Sequence, residues 1–194
     1  MTLIEPNIIG LKGFTTFGRL EKYFNPSVYD EYQGTFFFPI KFNWKPGDEL
    51  KVIEAYNKHT SGQYIVIAYS DGGTIAHQML LFDPNCIALI CVNALFNPPI
   101  FVPTNRPVYI LQTKNDRTGM QRHSDRAAKY YKINNGQVTY RLIDAHKPSL
   151  LNHAFHPALK YIDAWLHGVF NISLPINKPE RGTEDLPRKI VYNL

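Results

Sequence analysis

The chain has 194 residues, 44% apolar and 19% charged, which suits one domain with a sizeable core and excludes a wholly disordered chain. Its 21 Lys and Arg against 16 Asp and Glu give a formal charge of +5, scattered singly, so a nucleic-acid arm has no support. Cys86 and Cys91 are too few for a disulfide framework, no Cys or His spacing suggests zinc, and no apolar run approaches the ~20 residues of a membrane span.

The start, Met1 to Pro6, lacks the basic-then-apolar layout of a signal peptide, so a soluble, cytoplasmic protein is expected. Asn7 to Leu11 reads as a short strand, broken by a loop carrying Gly13 and Gly18. Thr35 to Phe42 is aromatic and β-branched, a strand whose Pro39 favours a bulge or an edge position. Pro46-Gly47-Asp48 opens a helix over Glu49 to Lys58. Tyr64 to Ala68 is a continuous apolar run, as in a strand buried on both faces. Tyr69-Ser70-Asp71-Gly72-Gly73 follows, then a helix over Thr74 to Phe82 that Asp83-Pro84-Asn85 stops. Ile87 to Val92 and Pro107 to Gln112 read as further buried strands, Gln121 to Lys132 as a helix and Val138 to Ile143 as a strand. Pro157 opens a last helix ending at Trp165 or Leu166.

Strands alternating with helices predict an α/β fold, with about six mostly parallel strands and helices on both faces. The catalytic body is expected over residues 1–167 and a tail over 168–194, whose Lys189 to Tyr192 is a candidate edge strand.

The sharpest chemical signal is Ala68-Tyr69-Ser70-Asp71-Gly72, set between a buried strand and a helix. A serine nucleophile must be thrust out of a tight strand-to-helix turn, and small residues two before and two after it allow the backbone to bend that sharply. The helix behind it offers unpaired N–H groups and a positive dipole end to developing negative charge. Here Ala68 stands where the commoner G-x-S-x-G has glycine.

The arrangement resembles the α/β-hydrolase superfamily over roughly residues 7–167, in particular its small lidless esterases and cutinase-like members. The resemblance implies Ser70 as nucleophile and the N–H of Asp71 as one oxyanion donor. A second donor would be the N–H of Phe14, in a loop where Lys12 replaces the family's histidine. Asp116, in the turn after the Pro107 strand, matches the acid-bearing position, although aspartate is also frequent in plain turns. The base is His153, whose Asn152-His153-Ala154-Phe155 looks like the family's Gly-His-x-Phe run, or alternatively His146, directly after the last strand. His156, abutting Pro157, is better placed to cap the helix. His59, His77, His123 and His167 read as packing or surface residues, and Cys86 and Cys91 as small buried thiols.

The implied reaction is hydrolysis of a carboxylic ester or thioester by a Ser-His-Asp acyl-enzyme mechanism, with no cofactor and no metal. Asn93 to Arg106 is too short and proline-rich for a folded cap, so the site is expected to be open to a small-molecule or polymer-borne ester. Tyr69, Ala94 to Phe96 and Pro98 to Phe101 are candidate apolar walls, Tyr69 as a substrate-binding residue. Two other readings stay open: a catalytically inactive binding protein on the same fold, and a peptidase or acyltransferase using the same triad. A homodimer is compatible with the sequence; nucleic acid is not an expected partner.

Overall fold

The apolar runs of the sequence become the strands of one sheet: β1 (Asn7–Leu11), β2 (Phe36–Phe37), β3 (Tyr64–Tyr69), β4 (Cys86–Val92), β5 (Pro107–Thr113) and β6 (Gln137–Ile143). The structure, a computed structural model, describes residues 6–11, 36–37, 45, 47–59, 62–97, 102–134, 136–145 and 153–174. The strands lie in the order β2-β1-β3-β4-β5-β6, and every neighbouring pair is parallel. Four helices accompany them among the described residues: α1 (Asp48–His59), α2 (Gly73–Phe82), α3 (Met120–Ile133) and α4 (Leu159–Phe170). Short 3₁₀ turns precede α2 at Ser70–Gly72 and α4 at His156–Ala158.

Alternation along β3 shows how the core divides. Tyr64, Val66 and Ala68 pack with residues of α1, α2 and α3, including Tyr56, Met79 and Tyr131. Ile65, Ile67 and Tyr69 point the other way, onto Leu159, Ile162 and Leu166 of α4. A strand covered on both sides must be apolar at every position, which is why this run shows no polar alternation. The outermost strand β6 alternates between exposed and half-buried positions over most of its length, as an edge does.

One detail differs from expectation. Helix α4 runs on to Phe170, where Asn171 ends it at φ 58°, because its apolar stripe continues beyond Leu166. Ile172 and Leu174 then stay buried in the same layer. Of Thr35 to Phe42, the strand β2 is described; Pro39 and Lys189 to Tyr192 lie outside the described residues. Between β4 and β5, the described residues 93–97 and 102–106 carry neither helix nor strand. No helix among the described residues is long and apolar enough to cross a membrane.

The strand order also locates the site. From β1 the chain goes outward to β2 and then returns to β3 on the other side of β1. At such a reversal the connections leave in opposite directions, opening a crevice beyond the carboxyl ends of the two strands. Ser70 follows directly on β3, at the carboxyl end of one of those two strands.

Candidate active site

Tyr69 ends β3 in an extended conformation, φ −125° and ψ 136°, and Ser70 then turns sharply to φ 53°. That left-handed region is costly for a residue with a Cβ and persists where the surroundings enforce it. Here the carbonyl of Ser70 accepts a hydrogen bond at 2.9 Å from the N–H of Leu95, in the segment after β4. The same segment presses on the start of α2: a Cβ added at Gly73 would come within 2.2 Å of the Leu95 carbonyl oxygen and 2.9 Å of the Ala94 Cβ. Gly73 is therefore a steric requirement of the elbow that the spacing of Ala68 and Gly72 around the serine did not reveal. Ser70 is 7% exposed. Asp71 follows Ser70 in the 3₁₀ turn Ser70–Gly72, which leads directly into α2.

Asp116 is carried by the turn that leaves β5. Asn115 takes φ 59°, a conformation asparagine tolerates better than most residues, and Lys114 N–H bonds to the Ile143 carbonyl at 2.8 Å. These features aim the Asp116 carboxylate inward. Its Oδ2 lies 2.8 Å from Nδ1 of His153, and its side chain has no exposed surface. Thr118 donates to Oδ1 twice, from its N–H at 2.8 Å and from its hydroxyl at 2.6 Å, and Gln112 Nε2 donates to Oδ2 at 3.3 Å. Burial pushes the carboxyl up, but the bonds from His153 and Thr118 outweigh it and hold Asp116 below the ordinary carboxylate value.

His153 sits at the start of the segment leading into α4. Its ring stacks on Tyr69, with centroids 5.0 Å apart and planes 28° from parallel. The Tyr69 hydroxyl donates at 3.1 Å to the His153 carbonyl, and Phe155 meets the Tyr69 ring edge-on at 5.6 Å. Tyr69 is only 3% exposed. The candidate substrate wall Tyr69 thus forms a buried shelf beneath the histidine, because its place in β3 turns it toward α4.

Asn93 holds the other side of the histidine segment. It is wholly buried at the end of β4, with φ 44°. Its Nδ2 donates to the Thr113 hydroxyl at 2.8 Å and to the Ala154 carbonyl at 2.9 Å, while its Oδ1 accepts from Thr113 N–H at 2.7 Å. One side chain thus joins β4, the end of β5 and the residue after His153. Sequence reading passed over it; a polar residue closing an all-apolar strand was the available signal.

The other candidates fall into place simply. Phe14, Lys12, His146 and Pro98 to Phe101 lie outside the described residues. His77 is buried, its Nδ1 2.7 Å from the Tyr131 hydroxyl and its ring edge-on to Phe96. His123 meets the main chain of Phe96, and His167 is exposed on α4. Cys86 and Cys91 are buried free thiols, which burial pushes well up from their ordinary value. Among the described residues, no three His, Cys, Asp or Glu side chains are grouped to hold a metal ion.

No family model matches the chain, and no curated protein does. Solved structures do. The chain is similar to esterase PE8, with a TM-score of 0.63 and 14% identity, over 85% of this chain and 93% of that one. Pyrococcus furiosus esterase Pf2001 aligns with a TM-score of 0.58 and 12% identity, over 85% of this chain and 80% of the other. Arabidopsis thaliana SOBER1 aligns with a TM-score of 0.61 and 15% identity, over 84% of this chain and 98% of the other. At these identities the likeness shows the fold alone, an α/β-hydrolase-like parallel sheet with helices that this chain shares with those structures.

Proposed function

We propose that the chain is a serine hydrolase that cleaves carboxylic esters or thioesters through an acyl-enzyme on Ser70. The observation that carries this reading is the pairing of two features at the carboxyl ends of the strands: a serine held at φ 53° between strand and helix, and a histidine bonded at 2.8 Å to a buried aspartate and stacked on that serine's neighbour. The bond to Asp116 favours His153 over His146 as the base.

In the first half-reaction His153 takes the Ser70 proton at Nε2, the nitrogen opposite its Asp116 bond, as the hydroxyl oxygen attacks the substrate carbonyl. The Asp116 carboxylate holds the ring in the Nδ1–H tautomer and stabilises the imidazolium that forms. The Asp71 N–H, and that of Phe14, receive the oxyanion, each such donor contributing about 2.7–4 kcal/mol in mutational comparisons. Collapse expels the alcohol or thiol, which takes the proton from His153. Water then attacks the acyl-serine by the same route, releasing the acid and restoring the serine.

The absence of helix and strand among the described residues of 93–106 suits an uncapped site, open to bulky or polymer-borne esters as well as small ones. The test is hydrolysis of p-nitrophenyl esters and acyl thioesters of increasing chain length by wild type and Ser70→Ala. Turnover that falls to background in the variant supports the reading; turnover that survives it refutes the assignment of Ser70.

A further inference from the structure

Gln112 is hard to explain by packing alone. It lies in β5 with no exposed surface, between the buried Leu111 and Thr113, where a parallel strand ordinarily carries an aliphatic side chain. Burying an amide is unfavourable unless its hydrogen bonds are supplied. Here they are. Ser124, itself buried on α3, donates its hydroxyl to Gln112 Oε1 at 2.7 Å, which orients the amide so that Nε2 faces Asp116 Oδ2 at 3.3 Å and the Thr113 carbonyl at 3.1 Å.

The consequence appears at the carboxylate. An ionised carboxylate has about four acceptor positions. At Asp116, His153 and Gln112 meet Oδ2, and the Thr118 N–H and hydroxyl meet Oδ1. Both oxygens are engaged from two sides, so the group cannot swing away from His153 without breaking bonds at the other oxygen. The Thr118 bonds are local to the acid turn, whereas the Gln112 bond comes from the sheet and is braced by a helix.

We infer that Gln112 is a positioning residue for the Asp116–His153 pair, and that Ser124 on α3 acts through it by fixing the orientation of the Gln112 amide. This inference rests on the hydrolase reading above, because it assigns Gln112 a part in the same reaction. The charged and titratable groups nearest the pair are otherwise engaged or outside it. Tyr69 bonds to the His153 carbonyl, Lys114 of the acid turn pairs with Asp144 at 2.9 Å, His123 of α3 meets Phe96, and Arg117 is exposed beside Asp116 in the chain.

The test uses Gln112→Met, which keeps the length and drops the donor, Gln112→Glu, which keeps the shape and adds a charge, and Ser124→Ala. In Gln112→Met, kcat is expected to fall about ten- to a hundredfold, as when the partner that orients a metal-bound histidine is removed, with KM within about twofold of wild type. In Gln112→Glu, a second carboxylate beside Asp116 favours the imidazolium, so the acid limb of kcat/KM moves to higher pH. If Ser124 acts through Gln112, Ser124→Ala lowers kcat alone but adds nothing in the Gln112→Met background. Wild-type kcat and pH profile in both Gln112 variants would overturn the inference, as would additive losses for the relay. A readout independent of turnover separates the two claims: the proton NMR resonance of His153 Nδ1–H. Should wild type show no Ser70-dependent turnover, the hydrolase reading fails by itself. A resonance displaced in Gln112→Met still supports the positioning of the pair, and an unmoved resonance overturns it.

Discussion

Tyr69 lies beneath His153, ring centroids 5.0 Å apart, and its hydroxyl donates to the carbonyl of that same histidine at 3.1 Å. One side chain from β3 therefore fixes both the plane of the imidazole and the backbone that bears it, immediately before the serine in the chain. The buried layer on α4 and the candidate site share this residue.

Separating the ring from the hydroxyl tests that arrangement. Tyr69→Phe keeps the stack and removes one hydrogen bond, so stability should fall by about 0.5–1.5 kcal/mol and kcat by only a few-fold. Tyr69→Leu removes the stack as well, and kcat should fall more than tenfold while the protein stays folded. Denaturant unfolding alongside steady-state kinetics reads both. Equal kcat in wild type and Tyr69→Leu would contradict the shelf.

The backbone at Ser70 gives a prediction in which stability and activity move apart. A left-handed conformation disfavours residues with a Cβ by about 1–2 kcal/mol, and glycine escapes that penalty. Ser70→Gly should therefore be more stable than Ser70→Ala by about 1 kcal/mol, although both lack the hydroxyl. Urea midpoints of the two inactive variants decide it, and a Ser70→Gly less stable than Ser70→Ala would show that the turn is not strained.

Much of this was legible from local pattern. Tyr64 to Ala68 and Ile87 to Val92 read as buried strands because a sheet covered on both faces leaves no polar alternation, and the structure places β3 and β4 there. Ser70 and Asp116 were nameable because each follows such a strand at a turn. Of the two candidate bases, the structure brings His153 to Asp116, while His146 lies outside the described residues. What could not be read depends on partners distant in the chain. Gly73 is required by Leu95, Asn93 works through Ala154, and Gln112 is braced by Ser124, none of which a local window relates. The stack of Tyr69 on His153 is set in the same way, by where the segment before α4 lands.

Asn93 should be as sensitive as a core residue despite being polar. Asn93→Ala strips the partner from the buried Thr113 N–H and the closer of two donors from the half-buried Ala154 carbonyl, and a buried group left unsatisfied costs about 1–3 kcal/mol. Asn93→Asp keeps the acceptor for Thr113 N–H but faces the Ala154 carbonyl with an oxygen. Both variants should be destabilised by calorimetry, and hydrogen exchange in the segment containing His153 and Ala154 should accelerate. Unchanged exchange there would remove Asn93 from the site's framework.

Acid sensitivity should centre on His77. Burial pushes its imidazole down to about 3, a nearby His123 acting in the same direction and a hydrogen bond to Leu95 opposing it, against an ordinary value of 6.5. Between those values the unfolded chain binds the extra proton, so stability is full above the unfolded value and is lost as pH falls toward the folded one. Asp116, held below the ordinary carboxylate value, adds a loss of the same sign only at lower pH. Urea unfolding from pH 7 to pH 4 should show stability falling by a few kcal/mol in wild type, and by much less in His77→Gln. Parallel curves for the two proteins would rule His77 out as the cause.

The central claim, that Ser70 is the nucleophile, is tested most directly by a fluorophosphonate probe followed by peptide mapping of the adduct. One phosphonyl group should be found on Ser70, formed slowly in His153→Ala and not at all in Ser70→Ala. An adduct-free wild type, or labelling that persists in Ser70→Ala, would contradict the account.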